Sequence, residues 1–207
     1  MLVLHKARLA NEETTMTVSD YKMTLAPKTL HDEDPKAKAL LQRSKTTLGF
    51  VPNMYAGMAN SPGLLETYMD GYDRFRKESG FTPAEQEVVF LTISRRNGCE
   101  YCVSAHSKIA DQMSKVPPAV TDAIRNGHSV PDAKLAALST FTDVMVTKRG
   151  LPSTSDVQAF LSAGYSERQV LEVVLAIAVK TLSNYSNHLF HTPLDAMFED
   201  RAWSDAK

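Results

Sequence analysis

The chain has 207 residues, 43% of them hydrophobic, which is enough for one sizeable core and requires no second domain. Its 23 basic and 24 acidic residues leave a formal charge of −1, and Lys and Arg are scattered rather than clustered, so no nucleic-acid partner is expected. Two cysteines are too few for the disulfide framework of a small secreted protein, and the expected compartment is the cytoplasm.

Residues 1–33 show no periodic pattern and read as an irregular N-terminal extension to a single domain over 34–207. The opening Met1–Ala10 lacks the apolar core of a signal peptide, and Met16 is a candidate natural start, which would make residues 1–15 a leader. A first helix runs from Pro35 to Thr47. Gly49-Phe-Val-Pro-Asn then turns into a short helix ending at Asn60, and Ser61-Pro62 opens a longer one to about Ser79. Thr82-Pro83 opens the next, which ends at the left-handed stop signal Asn97-Gly98, and a further helix runs from about Cys99 to Met113. Pro117-Pro118 starts a short helix ending at Asn126-Gly127. Asp132 caps a helix to Arg149, Gly150 stops it, and Thr154 or Ser155 starts another to Ala163-Gly164. A long apolar helix from Ser166 toward His188 and a short one after Pro193 complete an all-α chain. The most hydrophobic stretch, Val170–Val179, contains Glu172 and is far shorter than a bilayer requires, so it reads as a core helix and no membrane association is expected. The β-branched pairs Val88-Val89 and Val173-Val174 are helical on the same reading, because the distances between breakers favour helices.

Chemistry concentrates in Glu87-VVFLTISRRNG-Cys99-EY-Cys102-VSA-His106. Cys99 falls at or near a helix N-cap, with Cys102 three residues on and His106 four beyond it, all on one face. Cysteines three apart at a helix start can close a disulfide, and the free amides and positive dipole end there favour a thiolate. If the two helices fold back about residues 97–98, Glu87 comes within about one turn of His106. The carboxylate then orients the imidazole, and the imidazole serves the thiol. Beside the apolar run Val88-Val89-Phe90-Leu91, the Glu87 carboxyl is expected to titrate high, toward the range of a general base. Structural zinc needs four ligands and only His106 offers further support nearby, so no metal is expected. A thioredoxin-type site follows a β-strand, whereas a long helical pattern precedes this one.

The same spacing recurs 85 residues on. Glu87 aligns with Glu172, Val88-Val89 with Val173-Val174, Cys99 with Asn184, Cys102 with Asn187 and His106 with His191. The pattern reads either as a duplicated helical hairpin that kept one redox copy or as chance matching between helices of similar composition. On both readings Asn184, Asn187, His188 and His191 are candidates to line the pocket with Tyr101, and Glu172, inside an apolar helix, needs a partner there.

The Glu, Cys-x-x-Cys, His pattern resembles the alkylhydroperoxidase D-like branch of the carboxymuconolactone decarboxylase superfamily. The upstream Gly49-Phe-Val-Pro-Asn-Met-Tyr-Ala-Gly-Met-Ala-Asn-Ser-Pro-Gly-Leu-Leu-Glu66 resembles its peroxidase-related subgroup, and together the matches cover roughly residues 35–195. The resemblance implies an all-helical, alkylhydroperoxidase D-like bundle, a homo-oligomer, and peroxide reduction by a cysteine pair. The alkylhydroperoxidase D pattern carries a second histidine between its cysteines, where this chain has Glu100-Tyr101. The expected function is reduction of hydrogen peroxide or small organic hydroperoxides, with an external dithiol as reductant and no bound cofactor. Cys102 is assigned as the attacking thiol because His106 shares its face, and Cys99 as the resolving thiol nearer the exposed helix start; the resemblance implies the same order. Two alternatives stay open: a disulfide reductase or redox carrier without peroxide turnover, and the lactone or decarboxylation chemistry of the wider superfamily.

Overall fold

The computed structural model describes residues 19–204, and the candidate start at Met16 lies outside them. Nine α-helices and one 3-10 segment account for the regular structure among the described residues: α1 (Pro35–Leu48), α2 (Asn53–Met58), α3 (Pro62–Glu78), α4 (Pro83–Arg96), α5 (Glu100–Gln112), α6 (Pro118–Asn126), α7 (Ala133–Thr147), α8 (Thr154–Ser162), α9 (Glu167–Phe190) and the 3-10 segment Ala196–Arg201. The fold is therefore all-α, and every helix expected from the sequence is present. No helix among the described residues is long and apolar enough to cross a membrane.

The caps explain the boundaries. Thr82 and Glu85 form a capping box at the start of α4, Ser153 and Asp156 one at α8, and Ser166 and Gln169 one at α9. Each satisfies two backbone amides that would otherwise lack partners, worth about 1 kcal/mol per cap. Gly98 takes φ +65° between α4 and α5, a conformation that would strain any side chain, and this turn folds the two helices back on each other.

At the centre lies α4, which packs against α5, α6, α7 and α9 and is buried at every position from Glu85 to Ser94. One core, around Phe75, Phe90, Phe141, Phe160 and Val173, joins α4 to α7, α8 and α9. A second, around Leu41, Met58, Leu65, Tyr68 and both cysteines, joins α1, α2 and α3 to the start of α5. Helix α9 runs through both cores, contributing Val173 and Ala176 to the first and Val179 to the second. Residues 19–34 carry no helix and lie over α2 and the end of α9, where Met23 N–H donates to Leu189 O and Lys28 N–H to Ala56 O.

The proposed second hairpin is not one. Helix α9 is continuous from Glu167 to Phe190. The first copy turns because it has Asn97-Gly98; the equivalent positions, 85 residues on, are Leu182-Ser183, which carry no stop signal. The sequence echo thus maps a hairpin onto a straight helix.

Helix α9 comes close to α3 at Gly71, where a methyl group in place of hydrogen would meet Val179 Cγ2 at 2.9 Å. Val179 is short and β-branched and cannot swing away. Gly71→Ala should therefore destabilise the protein by about 1–3 kcal/mol through overpacking, read as a lower urea midpoint with an unchanged m-value. An unchanged midpoint would show that the α3–α9 spacing is slack.

Candidate active site

The turn at Gly98 lays α5 against α4 so that His106 Nδ1 lies 2.8 Å from Glu87 Oε2. Glu87 is fully buried, and its other carboxylate oxygen accepts from Arg76 of α3. Arg76 also donates to Gln86 Oε1 at 3.1 Å and to the Tyr72 hydroxyl at 2.6 Å, and its guanidinium stands over the Tyr72 and Phe90 rings. A carboxylate that takes hydrogen bonds from both sides fixes the imidazole tautomer: Nδ1 carries the proton and Nε2 is left as an acceptor.

That acceptor meets a residue the sequence reading did not single out. Lys180 of α9, with 0% of its surface exposed, places Nζ 3.0 Å from His106 Nε2. It lines the same cavity as Cys102, whose thiol its charge pulls down, and Nζ lies 5.6 Å from the centre of the Phe90 ring. The direct imidazole-to-thiol contact expected from the i, i+4 spacing is thus replaced by a longer line: Arg76, Glu87, His106, Lys180, Cys102. Its signal in the sequence was a lysine inside the apolar run of α9, two turns beyond Glu172, whose charge would have to be answered there.

The two thiols differ. Cys99 is the N-cap of α5 and is completely buried, not near an exposed helix start as expected. Its burial, and then the hydrogen bond it gives to Cys102, push its thiol well above the usual range. For Cys102 burial works in the same direction, but it is overcome by the neighbouring Cys99 thiol and by the positive field of Lys180, and the thiol is held well below its usual range. Asn187 Nδ2 donates to Cys102 Sγ at 3.3 Å and Cys99 Sγ at 3.7 Å, while Ser183 Oγ lies 4.0 Å from Cys102 Sγ.

Glu87 behaves opposite to expectation. Burial alone would raise its carboxyl, but Arg76 and His106 hold it below the usual carboxylate value, so it stays an anion and is not a general base tuned toward neutrality. The apolar neighbours were legible in the sequence, whereas the guanidinium, eleven residues back on another helix, was not. Burial and the Lys180 charge together lower His106 despite Glu87, which leaves the imidazole neutral at pH 7.

A cavity of about 480 Å³ opens onto Cys102, His106 and Lys180 and is walled by Phe50, Met54, Tyr55, Tyr68, Tyr72 and Phe198. Tyr101 lines it too, with its hydroxyl held by Asp195. Of the other pocket candidates, only Asn187 touches the sulfurs. Asn184 is buried with its Oδ1 bound by Asn97 at 2.9 Å, and His188 is half-buried and does not line the cavity. His191 takes φ +47° as the C-cap of α9 and pairs with Ser19 O at 2.9 Å. Glu172 finds its partner in Arg168, one turn earlier on the same helix, and stays clear of the cavity. These misplacements follow from the straightness of α9, which carries 184, 187, 188 and 191 along its axis past Lys180, the one residue of the helix that lines the cavity.

Residues 62–143, which carry Glu87, both cysteines and His106, match the carboxymuconolactone decarboxylase family. An alkylhydroperoxidase AhpD core, peroxidase-related protein of Ralstonia eutropha JMP134 superposes with a TM-score of 0.69 at 21% identity, over 78% of this chain and 86% of that one. A peroxidase-related protein of Silicibacter sp. TM1040 gives 0.72 at 20% identity, over 89% and 99%. The debrominase Bmp8 gives 0.68 at 18% identity, over 86% and 96%, and has also been seen as a cysteine-to-alanine variant in complex with 2,3,4-tribromopyrrole. No curated protein matches the chain in sequence. The matched segment is thus similar to the carboxymuconolactone decarboxylase family, and the helical fold is that of the two peroxidase-related proteins.

The asymmetry of the thiols has a direct readout. A Cys102 held below the usual thiol range stays ionised as pH falls toward neutrality, whereas Cys99 stays protonated at alkaline pH. One equivalent of iodoacetamide should therefore label Cys102 alone, at a rate nearly flat from pH 6.5 to pH 9, with the position found by peptide mass spectrometry. A rate rising tenfold per pH unit across that range would show that Cys102 is an ordinary thiol.

Proposed function

We propose that the chain is a two-cysteine peroxidase acting on organic hydroperoxides. The observation that carries this reading is a pair of buried thiols three residues apart, of which Cys102 faces the cavity beside His106 and Lys180 and is held below the usual thiol range while Cys99 is pushed above it. The thiolate attacks the terminal peroxide oxygen, the O–O bond breaks, and Cys102 becomes a sulfenic acid while an alkoxide departs. The Cys99 sulfur then attacks Cys102, an S–S bond forms and water leaves. An external dithiol, small or protein-borne, returns two electrons and two protons by thiol–disulfide exchange.

The cavity favours an organic substrate over hydrogen peroxide itself. Its 480 Å³ is in the range of small-molecule pockets, about 300–1,000 Å³, whereas a water molecule occupies only about 30 Å³. Its aromatic and methionine walls suit a hydrocarbon group and offer little to a small polar peroxide. Cumene hydroperoxide at one equivalent should convert the protein to a species lighter by two hydrogens, bridged between Cys99 and Cys102. Glu87→Gln and His106→Gln should slow that step by about 10²-fold, since each breaks the line that holds Lys180 against the thiolate. Stable sulfinic acid with no internal bridge would remove Cys99 as the resolving thiol. Disulfide exchange without peroxide consumption would make the protein a redox carrier, and turnover retained in Cys99→Ser/Cys102→Ser would point to lactone or decarboxylation chemistry.

We also propose a homo-oligomer built on the outer face of α9. Leu171, Val174, Tyr185 and Leu189 are exposed there, at spacings that set them on one stripe of the helix. A copy of the same stripe, related by a twofold axis, would cover it. Light scattering should give a mass above one chain at micromolar concentration, reduced to one chain by Val174→Glu. A wild-type monomer under those conditions would remove the interface.

A further inference from the structure

We propose that Lys180 is the acid of the peroxide step, giving the proton that turns the departing alkoxide into an alcohol and remaining neutral for as long as the cysteines are oxidised. The inference rests on the peroxidase reading and deepens it.

Three observations carry it. Lys180 stands at the reacting atoms, because it lines the same cavity as Cys102 and its Nζ is held 3.0 Å from His106 Nε2 there. It has no carboxylate partner among the described residues, although it is completely buried. The groups that face it are Cys102 and the neutral His106 from α5 and the Phe90 ring from α4, with Glu87 behind His106 and with Arg76 and Tyr72 of α3 beyond Phe90. The other candidate acids are committed. The His106 Nδ1 proton is held by Glu87, and the Tyr101 hydroxyl, between the two cysteines in sequence, is held by Asp195. Burial holds the Tyr55, Tyr68 and Tyr72 phenols above their usual range, which makes them weaker donors than in water.

The balance closes without an external proton. Before reaction the site holds the Cys102 thiolate, the Cys99 thiol and the Lys180 ammonium. The thiolate sulfur bonds the terminal oxygen of R–O–OH, the O–O bond breaks, and R–O⁻ takes a proton from Lys180 to leave as R–OH. The now neutral amine accepts the Cys99 proton as that sulfur attacks Cys102, and passes it to the departing hydroxide, which leaves as water. The products are a disulfide, an alcohol, a water and a neutral lysine, with the same atoms and the same zero net charge as the start. A dithiol reductant restores one proton to Cys99 and one to Lys180. The charge on Lys180 thus disappears in the step that removes its thiolate counter-charge, so no bare ammonium is left buried.

Leaving-group dependence tests this where loss of activity alone would not. Single-turnover oxidation of Cys102 is followed in the full chain with two probes: cumene hydroperoxide, whose alkoxide must be protonated, and 3-chloroperoxybenzoic acid, whose carboxylate leaves without a proton. Lys180→Met should slow the hydroperoxide by about 10²–10⁴-fold more than the peracid, the usual worth of general acid catalysis. Lys180→Arg keeps the charge, and hence the thiolate absorbance at 240 nm, but cannot give up a proton near neutral pH. It should show the same selective loss, which keeps the test intact if Lys180→Met does not fold. Equal slowing of both probes in Lys180→Arg would overturn the proposal and leave the peroxidase reading standing. A wild-type Cys102 that reacts with neither probe faster than free cysteine would overturn both.

Discussion

A lysine buried with no carboxylate partner among the described residues is the constraint on which the site depends. Removing such a charge from water costs several kcal/mol even after relaxation, so the fold must supply an anion beside it or lose the charge. Here the group placed to answer it is the Cys102 thiol, which the lysine's charge pulls below the usual range. Lys180 and Cys102 therefore define each other's state, and the second buried pair, Arg76 with Glu87, is joined to the first through a neutral His106. The central imidazole accepts from one pair and donates to the other, so it conveys geometry without adding charge.

The helices supply this line by close approach. Every side chain of α4 from Glu85 to Ser94 is buried, so Glu87 has no access to solvent and can be satisfied only by neighbours that the packing delivers. Helix α3 delivers Arg76 from one side, and α9 delivers Lys180 from the other. The approach of α9 to α3 at Gly71 lies along the same contact, between Tyr68 and Tyr72 in sequence, and leaves no space for a methyl group. The Phe90 ring lies between the two cations, with Arg76 4.9 Å and Lys180 5.6 Å from its centre, and its π face offers each a partial counter-charge. One aromatic residue of α4 thus serves both the core and the electrostatics.

What could be read from the sequence follows from which interactions are local. Caps and stops act over a few residues, so Thr82-Pro83, Asn97-Gly98, Asp132 and Ser166 were enough to place their helices, whereas the cap of α8 is Ser153 and not the Thr154 or Ser155 expected. The Glu87–His106 contact was legible as well, because a tight turn between two helices fixes which residues face each other. Arg76 and Lys180 come from α3 and α9, and nothing in a spacing rule says how those helices lie against the hairpin. Their absence from the sequence reading inverted the expected shift of Glu87, since an apolar surround raises a carboxyl only while no cation answers it. The echo at Glu172 misled for a related reason: apolar periodicity is shared by a hairpin and a straight helix, and only the turn residues tell them apart.

Helix α9 still explains why the echo reached the right neighbourhood. Lys180, Ser183 and Asn187 stand three and four residues apart, so one face of one helix meets the cysteines along two turns. The same face gives the two sulfurs different surroundings. Asn187 reaches both, and the Lys180 charge lowers both thiols, but only at Cys102 does it help to overcome burial. Cys99, at the cap, meets burial with too little opposing charge and keeps its proton, which it shares with Cys102. On the proposed peroxidase reading the order of attack is a consequence of placement along one helix against another, and exchanging the two roles would require moving Lys180 by a turn rather than altering either cysteine.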